Sequence, residues 1–76
     1  MARVYILVNV MPGGDRTIRD SLRKIKGVAA ADVITGHYDI AAVLESENMG
    51  GIFDNILKKV RAIKGITRTE TFVAVE

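Results

Sequence analysis

The chain has no cysteine, one histidine, two tyrosines and two phenylalanines among its 76 residues. Each scarcity removes a class of function. Without cysteine there is no disulfide scaffold, no thiolate metal site and no cysteine nucleophile. The lone histidine, His37, falls in a turn, where solvation is the ordinary outcome, and no His/Asp/Glu cluster has metal-ligand spacing. No metal, no cofactor and no catalytic residue are therefore expected, and the chain is not read as an enzyme. Two tyrosines and two phenylalanines are also too few for an RNA-recognition sheet, which stacks bases on rings of its first and third strands. Nor is there a long apolar run. Met1-Ala2-Arg3-Val4-Tyr5-Ile6-Leu7-Val8 gives way to Asn9 and the Pro12-Gly13-Gly14 turn, far short of the ~20 residues that span a bilayer. No basic region precedes a cleavage site, so no signal peptide is read. Gly13-Gly14-Asp15-Arg16-Thr17 lacks the Gly-Lys-Ser/Thr ending of a phosphate loop. A soluble cytoplasmic protein with no membrane partner is the expectation.

What is present is repetition. Leu22-Arg23-Lys24-Ile25-Lys26-Gly27-Val28 returns as Val60-Arg61-Ala62-Ile63-Lys64-Gly65-Ile66, so that Lys26 recurs 38 residues on as Lys64. Each copy reads as a helix end, a glycine stop and a strand start. The length allows one domain, residues 1–76, built from two such halves. Hydrophobic residues make up 49%, so apolar surface is not scarce even in so small a chain. The net charge is +2, with cations clustered at Arg16–Lys26 and Lys58–Lys64. Cations near a helix C-terminus suit its dipole, so a solvated helix face accounts for them.

Residues 3–10 read as a strand with apolar residues on both faces: Val4, Ile6, Val8 and Val10 on one, Tyr5 and Leu7 on the other. Asp15 is the expected N-cap of a helix reaching Lys26, with Ile18, Leu22 and Ile25 as its stripe. Gly27 stands where a left-handed C′ residue is wanted. Residues 28–35 form a second strand and residues 39–45 a third, joined by the Gly36-His37-Tyr38-Asp39 turn as an antiparallel hairpin. A second helix starts at 46–48, capped by Ser46. Its stripe is Met49, Ile52, Phe53, Ile56, Leu57, Val60 and Ile63, and Gly50-Gly51 marks close packing or a mobile start. Gly65 stops it, and residues 66–75 form the last strand. The β-α-β-β-α-β order with right-handed crossovers gives an α+β, ferredoxin-like sandwich. Its four-stranded antiparallel sheet has the order 4-1-3-2, with both helices on one face. The other face stays apolar, and a sheet-to-sheet homodimer of C2 symmetry, a dimeric α+β barrel, is the simplest cover.

Two polar clusters remain. One is the Gly36–Asp39 turn. The other is Thr67, Thr69 and Thr71, three hydroxyls alternating along one face of the last strand. Each has an ordinary reading: glycine and aspartate are turn formers and threonine is a strand former. Together they suit a small zwitterion. Asp39 offers an anion for an ammonium, and free amides and hydroxyls offer donors for a carboxylate.

Gly36-x-Tyr38-Asp39 entering an apolar strand, with Lys64-Gly65-Ile66 and Thr69-x-Thr71 before Val73-Ala74-Val75-Glu76, resembles the effector-binding (RAM) domain of the Lrp/AsnC, or feast/famine, regulators. The resemblance covers nearly the whole chain. It implies the same fold, sheet-paired dimers assembled into rings, and a small effector, usually an amino acid, bound between dimers near the turn. By position it carries Gly36, Tyr38 and Asp39 to the turn and Thr69 and Thr71 to the last strand; His37 and Thr67 are included as neighbours. Family regulators also carry an N-terminal helix-turn-helix domain. Here Met1 lies two residues before the first strand, so a stand-alone module is expected, acting alone or with a full-length regulator.

Two other readings share the architecture. A cofactor-free enzyme of the dimeric α+β-barrel type needs an acid or base inside the barrel, where strand one offers Tyr5 and Asn9. An ACT-like regulatory domain would pair sheets edge to edge. Without a helix-turn-helix domain, the purified chain is expected to bind duplex DNA weakly and without sequence preference, losing affinity steeply with salt. Electrophoretic mobility shifts on unrelated duplexes at two salt concentrations check this; nanomolar affinity for one sequence at physiological salt would refute it.

Overall fold

The computed structural model describes residues 1–75; Glu76, which closes the last motif above, lies outside the described residues. Strand β1 spans Ala2–Val10, β2 Val28–Val33, β3 Ile40–Ser46 and β4 Ile66–Val73. The first helix is Asp15–Arg23. The second covers residues 49–61 in three pieces: an α turn at Met49–Gly51, a π-helical segment at Ile52–Ile56 and an α segment at Leu57–Arg61. The sheet order is β2-β3-β1-β4 with every pairing antiparallel, the ferredoxin-like order expected. No helix among the described residues is long and apolar enough to cross a membrane.

One face of the sheet and the inward helix stripes make the core. Val4, Ile6 and Val8 of β1 and Ile40, Ala42 and Leu44 of β3 are buried with Ile18 and Leu22 of the first helix and Ile52, Ile56, Leu57 and Val60 of the second. Each large aliphatic side chain so buried contributes roughly 1.5–3 kcal/mol before conformational entropy is subtracted. Phe53 is the exception to the expected stripe and is exposed. The i→i+5 bonding of the π segment adds a residue to the turn. The Leu57 N–H reaches back to the Ile52 carbonyl, and the plain 3.6-residue periodicity that would bury Phe53 does not apply there.

The ends of the elements differ from the sequence reading for local reasons. Gly14, not Asp15, is the first helix's N-cap, and the Asp15 carboxylate instead accepts the adjacent Arg16 N–H at 2.9 Å. That helix ends at Arg23 because the next amides, Lys24 and Ile25, turn back to Ser21 and Leu22 in tighter three-residue bonds. The second helix is capped by Asn48, whose side chain accepts the Gly51 N–H at 2.8 Å; Ser46 closes β3 instead. Strand β2 stops at Val33 and β4 at Val73, each two residues short of expectation.

Cross-strand register fixes the open face. A row of Ala30, Val43, Tyr5 and Phe72 crosses all four strands, with Asp32, Ala41, Leu7 and Glu70 beside it. Tyr5 and Phe72 are each more than two-fifths exposed. The Arg3–Glu45 pair, at 2.8 Å, borders the apolar row on one side, and Asn9 opposite Arg68 lies at the other end. The pattern is an apolar centre with a polar margin, as in the core and rim of a protein interface.

Both repeat glycines, Gly27 and Gly65, adopt positive φ at 102° and 99°. At Gly27 a Cβ would also collide with the Ile56 side chain, because the turn lies directly on the second helix. Gly36 has φ 119° but open space around it. Gly27→Ala is therefore expected to lose about 1–2 kcal/mol for the left-handed backbone and about 1–3 kcal/mol more for overpacking. Gly36→Ala carries the backbone cost alone. Urea unfolding of both variants separates the two contributions; equal losses would refute the contact with Ile56.

Candidate functional site

The Gly36–Asp39 turn is anchored by both backbone and side-chain hydrogen bonds. It delivers Asp39 to the end of the β1–β3 ladder, just past its last pair, Val8 opposite Ile40. Beyond that pair the Val10 amide, which faces the β3 side of β1, has no ladder partner and needs another acceptor. The Asp39 carboxylate fills that role: its Oδ2 accepts the Val10 N–H at 2.9 Å and an Asn9 Nδ2 hydrogen at 3.4 Å. The Asp39 backbone is held too, its N–H donating to Val8 and its carbonyl accepting from Ile34, each at 2.9 Å. The Asn9 amide also donates to the His37 carbonyl at 2.9 Å. Asn9, named from sequence only as a barrel-lining polar group, thus braces the turn.

Tyr38 projects from this turn across the end of β1 toward β4. Its hydroxyl donates to the Glu70 carboxylate, and the Arg68 guanidinium lies 5.8 Å from the ring centroid, a cation–π contact. The bond to Glu70 raises the Tyr38 phenol above its ordinary value. Partial burial and the Glu70 charge add to the rise, and the Arg68 charge opposes it. A phenol so raised stays a neutral donor through physiological pH. Arg68 forms no ion pair among the described residues, and the second oxygen of Asp39 takes no hydrogen bond there. Gly36 and His37 are exposed.

The threonines do not join this cluster. Thr69 and Thr71 stand opposite Val8 and Ile6, so they lie on the helix-side face of β4, away from Glu70 and Arg68. Thr67 is out of line with them: Ile66 pairs with Val10 and Arg68 with Asn9, leaving Thr67 as the extra residue of a bulge. The single row of three hydroxyls expected from alternation is thus two, and the bulge is the reason. Glu70 and Arg68 were missed from sequence. Their signal was available, since both alternate with the threonines and so face the other side of the strand. Among the described residues no group of three His, Cys, Asp or Glu side chains could hold a metal ion.

Asp39→Ala is expected to lower stability by about 1–3 kcal/mol with no ligand present, because it strands the Val10 amide. Asp39→Asn keeps an acceptor and is expected to lose less. Chemical denaturation and amide exchange at Val10 check this; an alanine variant as stable as the wild type would refute the capping role.

Comparison with known proteins matches the chain as a whole. The family model described as Lrp/AsnC ligand binding domain matches residues 3–76. Two solved structures superimpose over nearly the whole of both chains. FFRP-DM1 is 27% identical with a TM-score of 0.91, covering 99% of this chain and 100% of its own. The hypothetical protein PHS023 from Pyrococcus horikoshii is 26% identical with a TM-score of 0.92, covering 100% and 92%. The transcriptional regulator NMB0573 from Neisseria meningitidis, solved as an L-Met complex, is similar in fold at 17% identity and a TM-score of 0.71. The match covers 99% of this chain but only 50% of that one. Comparison with curated protein sequences found no match.

Proposed function

Because this chain belongs to the Lrp/AsnC ligand-binding domain family, we propose that it is an oligomeric sensor of a small zwitterionic effector, an amino acid, rather than an enzyme. The observation that carries the reading is the turn at Gly36–Asp39 with Arg68 of β4 beside it: among the described residues one Asp39 carboxylate oxygen takes no hydrogen bond and the Arg68 guanidinium forms no ion pair. In this reading the effector's ammonium meets the free oxygen of Asp39. Its carboxylate meets Arg68 and the exposed amides of Gly36 and His37. Charge-assisted bonds of this kind are the strong ones. Thr69 and Thr71 sit on the edge strand, and their hydroxyls join only if the effector or a neighbouring copy reaches around that edge. Thr67, exposed at the bulge, is the outermost candidate. A methionine complex in the Neisseria protein supports an amino acid as the first probe.

The apolar row on the open face supports a dimer through the sheets, and dimers of this kind supply the shared edges at which a ring would form. A full-length regulator of the same family offers a compatible sheet, so co-assembly is the second mode of action we propose. Edge-to-edge pairing, as in ACT-like domains, would leave the row Val43, Tyr5 and Phe72 in water.

Isothermal titration with L-Met and then the other amino acids tests the sensor. Asp39→Asn and Arg68→Gln are each expected to cost roughly 1.5–3 kcal/mol of binding, or about tenfold to a hundredfold in Kd. Thr69→Val and Thr71→Val are expected to cost about 0.5–1.5 kcal/mol each. Binding unaffected by Asp39→Asn would remove the ammonium assignment, and no binding at millimolar concentrations would leave an assembly module without this ligand. Sedimentation at micromolar protein is expected to show no 8.3 kDa species. Tyr5→Asp is expected to release monomer; a wild-type monomer would refute the sheet pairing.

A further inference from the structure

A cleft of about 320 Å³ opens between the turn that follows the first helix and the start of the second helix. Its lining includes Lys26, Glu45, Ser46, Asn55 and Lys59. It lies at the Ser46 end of β3, whereas the Gly36–Asp39 turn meets the Ile40 end. At the rise of an extended strand, the two are about 20 Å apart. The cleft is independent of the effector site proposed above.

Two close approaches shape it. Gly51 stands against Ser46 so tightly that a Cβ would collide with the serine hydroxyl, and Gly27 stands equally close to Ile56. The helix wall of the cleft runs through the π-helical segment, which supplies Asn55 and Ile56. Such a segment is uncommon and often marks a functional site. Gly50-Gly51 beside it weakens the helix start by roughly 1 kcal/mol per glycine. Core burial does not account for Asn55 or Phe53, since both are exposed. Asn55 and Lys59, four residues apart, both line this wall of the cleft.

The donors there are unspent. Lys26 and Lys59 form no ion pair among the described residues, and the side chains of Ser46 and Asn55 make no hydrogen bond there. Glu45 also lines the cleft, but its carboxylate is bonded to Arg3 at 2.8 Å. The local excess is two ammonium groups, one amide and one hydroxyl. That set matches an oxyanion with two charges and at least three acceptor oxygens. We propose that this cleft is a second ligand site, binding a phosphate-class oxyanion between Lys26, Lys59, Ser46 and Asn55.

The test is a nitrogen-15 amide titration with inorganic phosphate at constant ionic strength, balanced with chloride. Saturable shifts are expected at Ser46, Gly51 and Asn55, with a Kd of about 1 mM or tighter. Lys26→Gln and Lys59→Gln are each expected to weaken binding about fivefold, the scale of one screened charge at contact distance. The double variant is expected to abolish it, and Lys24→Gln, outside the cleft, to leave it unchanged. Acetate is expected to bind at least fivefold more weakly. Glycerol 3-phosphate run in parallel distinguishes the sources: tighter binding than the free ion assigns a phosphate ester, weaker binding assigns phosphate itself. Non-saturating shifts, or the same shifts with chloride alone, would mean an adventitious ion only and overturn the proposal. So would equal binding of acetate, or a double variant that titrates like the wild type. Because the readout is local to the cleft, failure here leaves the amino-acid reading of the turn untouched.

Discussion

Alternation along β1 is the constraint on which the rest of the structure depends. Val4, Ile6 and Val8 point into one face and are fully buried with the two helices. The pleat then obliges Tyr5 and Leu7 to face the other way, because neighbouring residues in a strand cannot share a face. In the centre of a four-stranded sheet this commits a row of large apolar side chains to a surface with no helix over it. A helix pair fills one side of the sheet and leaves the second open. The polar margin, with Arg3–Glu45 at one end and Asn9 opposite Arg68 at the other, confines the apolar area to the middle.

The Asp39 carboxylate connects that frame to the chemistry. The β1–β3 ladder ends at Val8 and leaves the Val10 amide without a partner, and a side chain from the hairpin turn supplies the missing acceptor. The same bond positions the turn, and the turn positions Tyr38 against Glu70 and Arg68. A residue that reads as a ligand contact is therefore also a structural brace. One oxygen takes both bonds of the brace, and because a carboxylate offers two acceptor atoms the second stays free for the ligand role proposed above. The cluster spans the turn, β1 and β4, so no single element holds it.

The second helix shows how local irregularity is tolerated when packing is dense on both sides of it. Ile52 and Ile56 stay buried at either end of the π segment, while the residues between them face outward. Gly51 allows the helix start to lie against Ser46, and Asn48 caps it from the loop. Cap and close approach together hold a helix start that its glycines would otherwise weaken.

The architecture was legible in the amino-acid order. The 38-residue repeat, the strand alternations and the glycine stops are short-range patterns, and short-range physics sets them. The Gly36-x-Tyr38-Asp39 turn and its family resemblance were legible for the same reason. Caps were less so: Asp15 and Ser46 are good capping types, yet Gly14 and Asn48 hold those positions, because the chain's approach to each helix decides which residue turns last. The grouping of polar residues depended on the tertiary structure. The bulge sets Thr67 apart from Thr69 and Thr71, and register sends those two to the face opposite Glu70 and Arg68. Sequence spacing determines which residues of one strand share a face, but only pairing between strands, including where a bulge interrupts it, decides which residues of different strands meet.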